Sequence, residues 1–286
     1  MFLFMKRISF VGLLIIFFQG LLFADEVNSD DVTQKLKELH WVYGPKVVKV
    51  GDNATFKIPS GYAFLNPDDT EKILEIFHNP PSNRIKYFFA PKSLRWFGIF
   101  SYDDTGHIMD NETIDADSLI ESIKEGTKEG NKIRIQKGWK PMNILGWKYK
   151  PFYDKNSNRL TWAIDAESGG IEVINYNTRI LGRTGVTSAI LVSGIDNLDE
   201  NVNLFKDVVK GYQFNKDQQY SAFTEGDKVA KYGLAALIAG GAAAIATKKG
   251  LWASLLVGIK VFWKFILAGI AAFFGFFAKL FKKKDE

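Results

Sequence analysis

Three acidic residues share the short stretch "YDDTGHIMD": Asp103, Asp104 and Asp110. Two carboxylates facing one substrate could serve as acid and base, and carboxylate oxygens also suit hard cations. The stretch lacks the alternating oxygen spacing and closing bidentate Glu of a calcium loop. Its Asp-Asp-Thr-Gly run is equally ordinary turn chemistry, with Gly106 free to adopt a left-handed conformation. In "NYNTRILGRTGV" the alternation of a strand would place Arg179, Leu181 and Arg183 on one face. Two guanidiniums there could hold a carboxylate or phosphate, and their plainer use is pairing across strands with Asp165 or Glu167. The candidate ligand-binding residues are therefore Asp103, Asp104, Asp110, Arg179 and Arg183, and no residue is singled out as catalytic.

Other chemistries are poorly supplied. His40, His78 and His107 are the only histidines, and none stands in an H-E-x-x-H spacing. The absence of cysteine removes thiolate zinc sites, a thiol nucleophile, disulfides and lipoprotein attachment together. No G-x-S-x-G elbow marks a serine hydrolase, and no phosphate-loop or G-x-G-x-x-G pattern marks a nucleotide site. Neither a metal nor a cofactor is expected.

The hydrophobic pattern describes the frame that must position these groups. "KVVKVGDNATFKIPSGYAFL" reads as short strands broken at Gly51-Asp52 and Pro59-Ser60-Gly61, with Val47, Phe56 and Ile58 inward. "PDDTEKILEIFHN" predicts a helix opened by Asp68 or Asp69, with Ile73, Leu74 and Phe77 on one face. "RIKYFFA" and "LRWFGIFSY" are aromatic-rich strands. A second helix carries Ile114, Leu119, Ile120 and Ile123 and is expected to end at Gly126 and Gly130. "NILGWKYKPFYD", "RLTWAIDA", "GIEVINY" and "TRILGRTGVTSAILVSG" follow as a four-strand meander, joined at "KNSN", "ESGG" and "YN". "DENVNLFKDVVKGYQF" returns as a helix with Val202, Phe205, Val208 and Val209 facing the sheet. The expected fold is α+β: an antiparallel sheet with helices packed on one side. Trp41, Trp96, Trp139, Trp147 and Trp162 are expected in the core, with a stacking surface for glycan or peptide as the alternative.

The ends differ from this body. Lys6 and Arg7 precede an apolar run that closes at Ala24, the layout of a secretory signal over residues 1–24. Residues 25–226 form the expected extracytoplasmic domain, its last stretch from Asn215 to Gly226 a polar tether. Residues 227–286 form the expected membrane region, with apolar helices at about 229–247 and 251–281. Gly240 and Gly241 would let such helices pack closely. The net charge is +5; eight lysines against Asp285 and Glu286 after residue 247, with Lys6 and Arg7, leave residues 25–247 at −3. The basic balance belongs to the ends, which argues against nucleic acid as a partner. Lys248 and Lys249 satisfy the positive-inside rule after one inward crossing, whereas a second crossing would put Lys282, Lys283 and Lys284 outside.

Several phrases point to one family. "WVYGP", "YDDTGHIMD", "GWKYKPFYD", "LTWA", "NTRILGRTGV" and "DKVAKYGLAALIAGG" together resemble the bacterial domain-of-unknown-function family 2167. That resemblance implies an exported, membrane-anchored protein without an established activity, and it supplies no catalytic residues. The expected protein is thus a binding module held at the bacterial inner membrane with its main domain periplasmic. Its expected partners are the lipid bilayer and an envelope protein or polymer. Two alternatives are an envelope enzyme using the Asp and Arg residues above, and a homo-oligomer of membrane helices with a passenger domain.

Overall fold

The computed structural model describes residues 29–239, apart from residues 78, 80–83, 137 and 139. The expected leader, Gly240, Gly241 and the apolar stretch 251–281 lie outside the described residues. Helix α1 (Ser29–Lys37) is followed by strands β1 (Val42–Tyr43), β2 (Lys46–Val50), β3 (Ala54–Ile58) and β4 (Tyr62–Leu65). Helix α2 (Pro67–Ile76) leads to β5 (Lys86–Pro91) and β6 (Phe97–Asp103). Helix α3 (Ala116–Gln136) precedes β7 (Asn143–Asp154), β8 (Arg159–Ser168), β9 (Ile171–Leu181) and β10 (Val186–Gly194). Then come α4 (Leu198–Val209), β11 (Tyr212–Phe214) and the short α5 (Leu234–Ile238).

An antiparallel eight-stranded sheet in the order β1-β4-β5-β6-β10-β9-β8-β7 forms the body, and β11-β3-β2 form a small second sheet. The meander is present as β7 to β10, each strand antiparallel to the next. Gly169 and Gly170 supply φ of 63° and 85° at the β8–β9 turn, which side chains with a Cβ rarely tolerate. The expected break at Tyr176-Asn177 is absent. Strand β9 continues to Leu181 because β8 and β10 hydrogen-bond to it along that length, and the turn falls at residues 182–185.

Alternation assigns the core to two faces. On one, Phe89, Phe100, Tyr176, Ala189 and Leu191 pack with Leu198, Val202, Phe205, Val208 and Val209 of α4 and with Phe56 and Ile58 of the small sheet. On the other, Phe88, Ile99, Ile190 and Val192 meet Ile73, Leu74 and Phe77 at α2. Farther along that second face, Leu160, Trp162 and Ile164 meet Leu119 and Ile123 of α3 and Leu234 and Ile238 of α5. Helices therefore cover both faces, which corrects the one-sided arrangement. The physical reason is visible in β10, buried at every position from Val186 to Ser193. A strand apolar on both sides needs two covers, each large side chain contributing roughly 1.5–3 kcal/mol when removed from water.

Local signals explain the remaining boundaries. Asn66, and neither Asp68 nor Asp69, caps α2: its side chain accepts the Asp69 N–H at 2.9 Å, and Pro67 takes the first helical position. Asp69 is instead buried and receives the His40 N–H at 3.0 Å and the Lys72 ammonium at 2.8 Å. Helix α3 runs through Gly126 and Gly130 to Gln136. Its end is tied down by Asn131, which bonds Met142 through both amide atoms, and by Arg134, whose Nε donates to the Lys140 carbonyl at 2.8 Å. Those ties offset the roughly 1 kcal/mol that each mid-helix glycine costs. Phe56 and Ile58 point inward as expected, whereas Val47 is 62% exposed on the outer strand of the small sheet.

Candidate functional site

The candidate residues do not form one cluster, and two of them secure a strap. Residues 215–239, expected to hold a tether and the start of a membrane helix, lie across the β6–α3 loop and the β9–β10 turn. Backbone bridges join Gly182 to Gln219 and His107 to Val229. The Arg183 N–H donates to the Gln218 carbonyl at 2.9 Å, and the His107 N–H donates to the Lys228 carbonyl at 2.7 Å. Gly106 has φ of 95°, and a Cβ there would stand 2.7 Å from the Lys228 carbonyl oxygen. Only glycine lets the strap approach so closely.

Side chains clamp this backbone. Arg183 occupies the turn, not the strand, so it shares no face with Arg179. Its guanidinium grips Asp227 bidentately, at 2.8 Å and 2.9 Å, and reaches Thr224 at 3.2 Å. That guanidinium holds the Asp227 carboxyl well below the usual carboxylate range. Lys228 donates to the Asp104 carbonyl at 2.9 Å and lies 3.8 Å from its carboxylate. Asp110 accepts from the Tyr153 hydroxyl at 3.0 Å, and burial followed by this hydrogen bond raises the Tyr153 phenol. The Tyr220 hydroxyl donates to the Ile108 carbonyl at 2.8 Å. His107 is sandwiched between Tyr220 and Phe223, ring centroids 4.3 Å and 4.0 Å away, and burial lowers its imidazole. Beyond it, Leu234 and Ile238 are fully buried, and Glu112 accepts the Ala235 N–H at 2.9 Å.

A separate group lies on the α2/α3 face of the large sheet. Register places Lys86, Ser101, Ser188 and Arg179 directly opposite one another on the adjacent strands β5, β6, β10 and β9. Lys86, Ser101 and Ser188 are 2%, 4% and 3% exposed, while Arg179 keeps partial access to solvent. The Arg179 guanidinium lies 4.7 Å from the Trp162 ring. Its Nη1 and the Trp162 Nε1 are shut off from solvent with no hydrogen-bond partner among the described residues. Asp103 shares this face and pairs with Arg84 at 3.2 Å. Lys86 Nζ lies 3.6 Å from Glu71 of α2. Burial pushes the Lys86 ammonium down and brings Arg179 to about 10.

Of the five candidates, then, Asp103 and Arg179 meet on one sheet face, Asp104 and Arg183 bind the strap, and Asp110 receives the Tyr153 hydroxyl of β7. Sequence reasoning missed Lys86, Ser101, Ser188 and His107. A lysine inside the otherwise apolar "IKYFFA" was the available signal for the row. Among the described residues no group of three or more His, Asp or Glu side chains is placed to hold a metal ion. Among the same residues no helix is long and apolar enough to cross a membrane.

Comparison with known proteins adds a family and little else. No curated protein matches the chain. The fold is similar to the solution structure of cyanobacterial PsbP (CyanoP) from Synechocystis sp. PCC 6803, at 11% identity and a TM-score of 0.37, covering 62% of this chain and 92% of that one. It is also similar to a crystal structure of a protein of unknown function from Pseudomonas aeruginosa, at 9% identity and a TM-score of 0.25, covering 58% of this chain and 93% of that one. At these scores neither likeness bears on activity. Residues 42–272 match the family model "Protein of unknown function (DUF2167)". That match spans most of the chain, strap and buried sheet face included, and the protein belongs to the DUF2167 family.

Proposed function

We propose that this protein is a membrane-anchored component of the bacterial envelope whose α+β domain binds a partner without transforming it. One observation carries the reading: of the groups that could have joined Asp103 in acid–base work, Asp104 and Arg183 hold the strap to the domain and Asp110 is taken by the Tyr153 hydroxyl of β7. An acid–base site needs two such groups within reach of one substrate atom. The enzyme alternative keeps only Asp103 beside Arg84 and Arg179.

Binding surface is available elsewhere. A groove of about 530 Å³ between α1 and the β1 edge is lined by Leu36, Trp41 and Tyr43, with Lys37 and Lys92 among its walls. Tyr43 is 53% exposed and carries the Lys92 ammonium 5.1 Å from its ring centre. Aromatic faces beside ammonium groups suit an acidic, sugar-bearing envelope polymer.

The docked strap also changes the anchor. With Leu234 and Ile238 in the domain core, only residues 240–247 separate the strap from Lys248. That stretch is far short of the ~20 residues a spanning helix needs. We assign the anchor to 251–281, entered from outside. A single crossing there puts Lys282, Lys283 and Lys284 inside and leaves Lys248 and Lys249 outside, so the larger of the two lysine clusters follows the positive-inside rule. Association through Gly240 and Gly241 is not needed for this arrangement.

The test is a photo-crosslinking residue at Tyr43 in intact cells. An adduct with envelope polymer, absent when the crosslinker replaces exposed Ile135 of α3, supports the reading. Equal capture at the two positions, or none at Tyr43, overturns it.

A further inference from the structure

We propose that the polar row on the buried sheet face is a receptor for a small oxyanion, a carboxylate or a phosphate, with Arg179 as its forked donor. The inference stands independently of the membrane anchor and of the groove at β1. It starts from charge. Among the described residues that meet at this row, the cations are Arg84, Lys86 and Arg179, and the carboxylates are Asp103 and Glu71, with the Tyr232 phenol nearby. Arg84 has Asp103 at 3.2 Å, and Lys86 has Glu71 at 3.6 Å. Arg179 shares the charge of Asp103 with Arg84, stacks on the face of Trp162 and keeps an Nη1 that has no acceptor among the described residues.

A guanidinium in that position is costly. Burying an unsatisfied charged donor forfeits its hydration, and an apolar side chain of similar size is often neutral or stabilising in its place. The neighbours of Arg179 also point toward an anion. Ser188 and Ser101 extend the same row with two hydroxyls, and Asn177 follows Arg179 on the same face of β9. Lys86 closes the far end. The row is therefore rich in donors, deeply buried at Lys86 and partly accessible at Arg179. A planar or tetrahedral oxyanion entering at Arg179 would take two parallel N–H bonds from the guanidinium and balance the odd positive charge.

The experiment is thermal unfolding of the full-length chain in detergent micelles, in potassium phosphate, potassium acetate and potassium chloride at matched ionic strength. Phosphate or acetate should raise the wild-type midpoint above its value in chloride, by about 3–6 °C at ten times the dissociation constant. A larger rise in phosphate assigns a phosphoryl group, and a larger rise in acetate assigns a carboxylate. The rise should vanish in Arg179→Met and persist in Arg95→Met, which removes an exposed arginine 3.9 Å from Glu200. In chloride, Arg179→Met should unfold no earlier than wild type. If Arg179→Met fails to fold, Arg179→Lys keeps the charge without the fork and should lose more than half of the rise. No anion-dependent rise in wild type, or the same rise in the Arg179 variants, overturns the proposal.

Discussion

Replacing Leu234 by alanine separates a strap from the beginning of a membrane helix. Leu234 is fully buried and belongs to the cluster formed by Ile108, Leu119, Ile123, Trp162 and Ile164. Its helix has five residues and is held at its start by Glu112, which accepts the Ala235 N–H at 2.9 Å. If this packing holds the strap, truncation removes about three carbons from a dry core and leaves a cavity bounded by α3 and β8. Buried leucine-to-alanine changes cost ~2–5 kcal/mol. For a domain of this size that corresponds to a midpoint lower by roughly 4–20 °C. The assay is thermal or urea unfolding of full-length protein in detergent, followed by tryptophan fluorescence. Ile135→Ala on the 62% exposed face of α3 is the control, expected within about 0.5 kcal/mol of wild type. A loss below about 0.5 kcal/mol for Leu234→Ala would refute the docked strap, because a side chain in lipid makes no contribution to this core.

Acid should loosen the same strap. Burial lowers the His107 imidazole against the weaker opposing pull of the Arg183 backbone, Asp110, the Gly182 backbone and Asp227, so the unfolded chain binds the proton more readily. The stabilisation from keeping His107 neutral is complete above its unfolded value of about 6.5 and falls as pH drops below it. The protection factors of the His107 and Ala230 amides, which pair strap to loop, should therefore be lower at about pH 5 than at about pH 8 once the pH dependence of intrinsic exchange is divided out, and His107→Phe should flatten that difference. Arg183→Leu should hasten proteolysis within residues 224–232, and adding Asp227→Leu should change the rate little further, because the two side chains act as one unit. An additive double variant would contradict the clamp. Phe205→Ala should cost ~3–5 kcal/mol, since its ring is fully buried against Phe89, Trp96 and Tyr176. Its effect combined with Phe89→Ala should fall short of the sum, as measured by denaturant unfolding.

Local chemistry in the sequence carries the elements well and their assembly poorly. Turn residues at Gly51-Asp52, Ser60-Gly61 and Gly169-Gly170 mark hairpins because the turn conformation depends only on residues beside it. The inward face of α4 is legible for the same reason: Val202, Phe205 and Val209 recur at helical spacing. The polar row is different. Lys86, Ser101, Ser188 and Arg179 become neighbours only through the strand order β5-β6-β10-β9, and no local pattern encodes that order. Arg183 misleads because alternation was continued past Leu181, where Gly182 and Gly185 turn the chain. The strap misleads because polarity reads as solvent exposure. In the fold, Gln218, Thr224 and Asp227 meet the β9–β10 turn with that polarity. Asp104 and Asp110 were legible as loop residues, but their partners Lys228 and Tyr153 lie far away in sequence.

The chain's lack of cysteine allows the central claim, a periplasmic domain with one inward crossing after the strap, to be read by single-cysteine labelling. Cysteine would replace Lys150, Lys249 or Lys284 in turn, and cells with a permeabilised outer membrane would be treated with a membrane-impermeant maleimide. The account predicts labelling at positions 150 and 249 in unlysed cells and labelling at position 284 only after lysis. Protection at 150, or labelling at 284 before lysis, would contradict it.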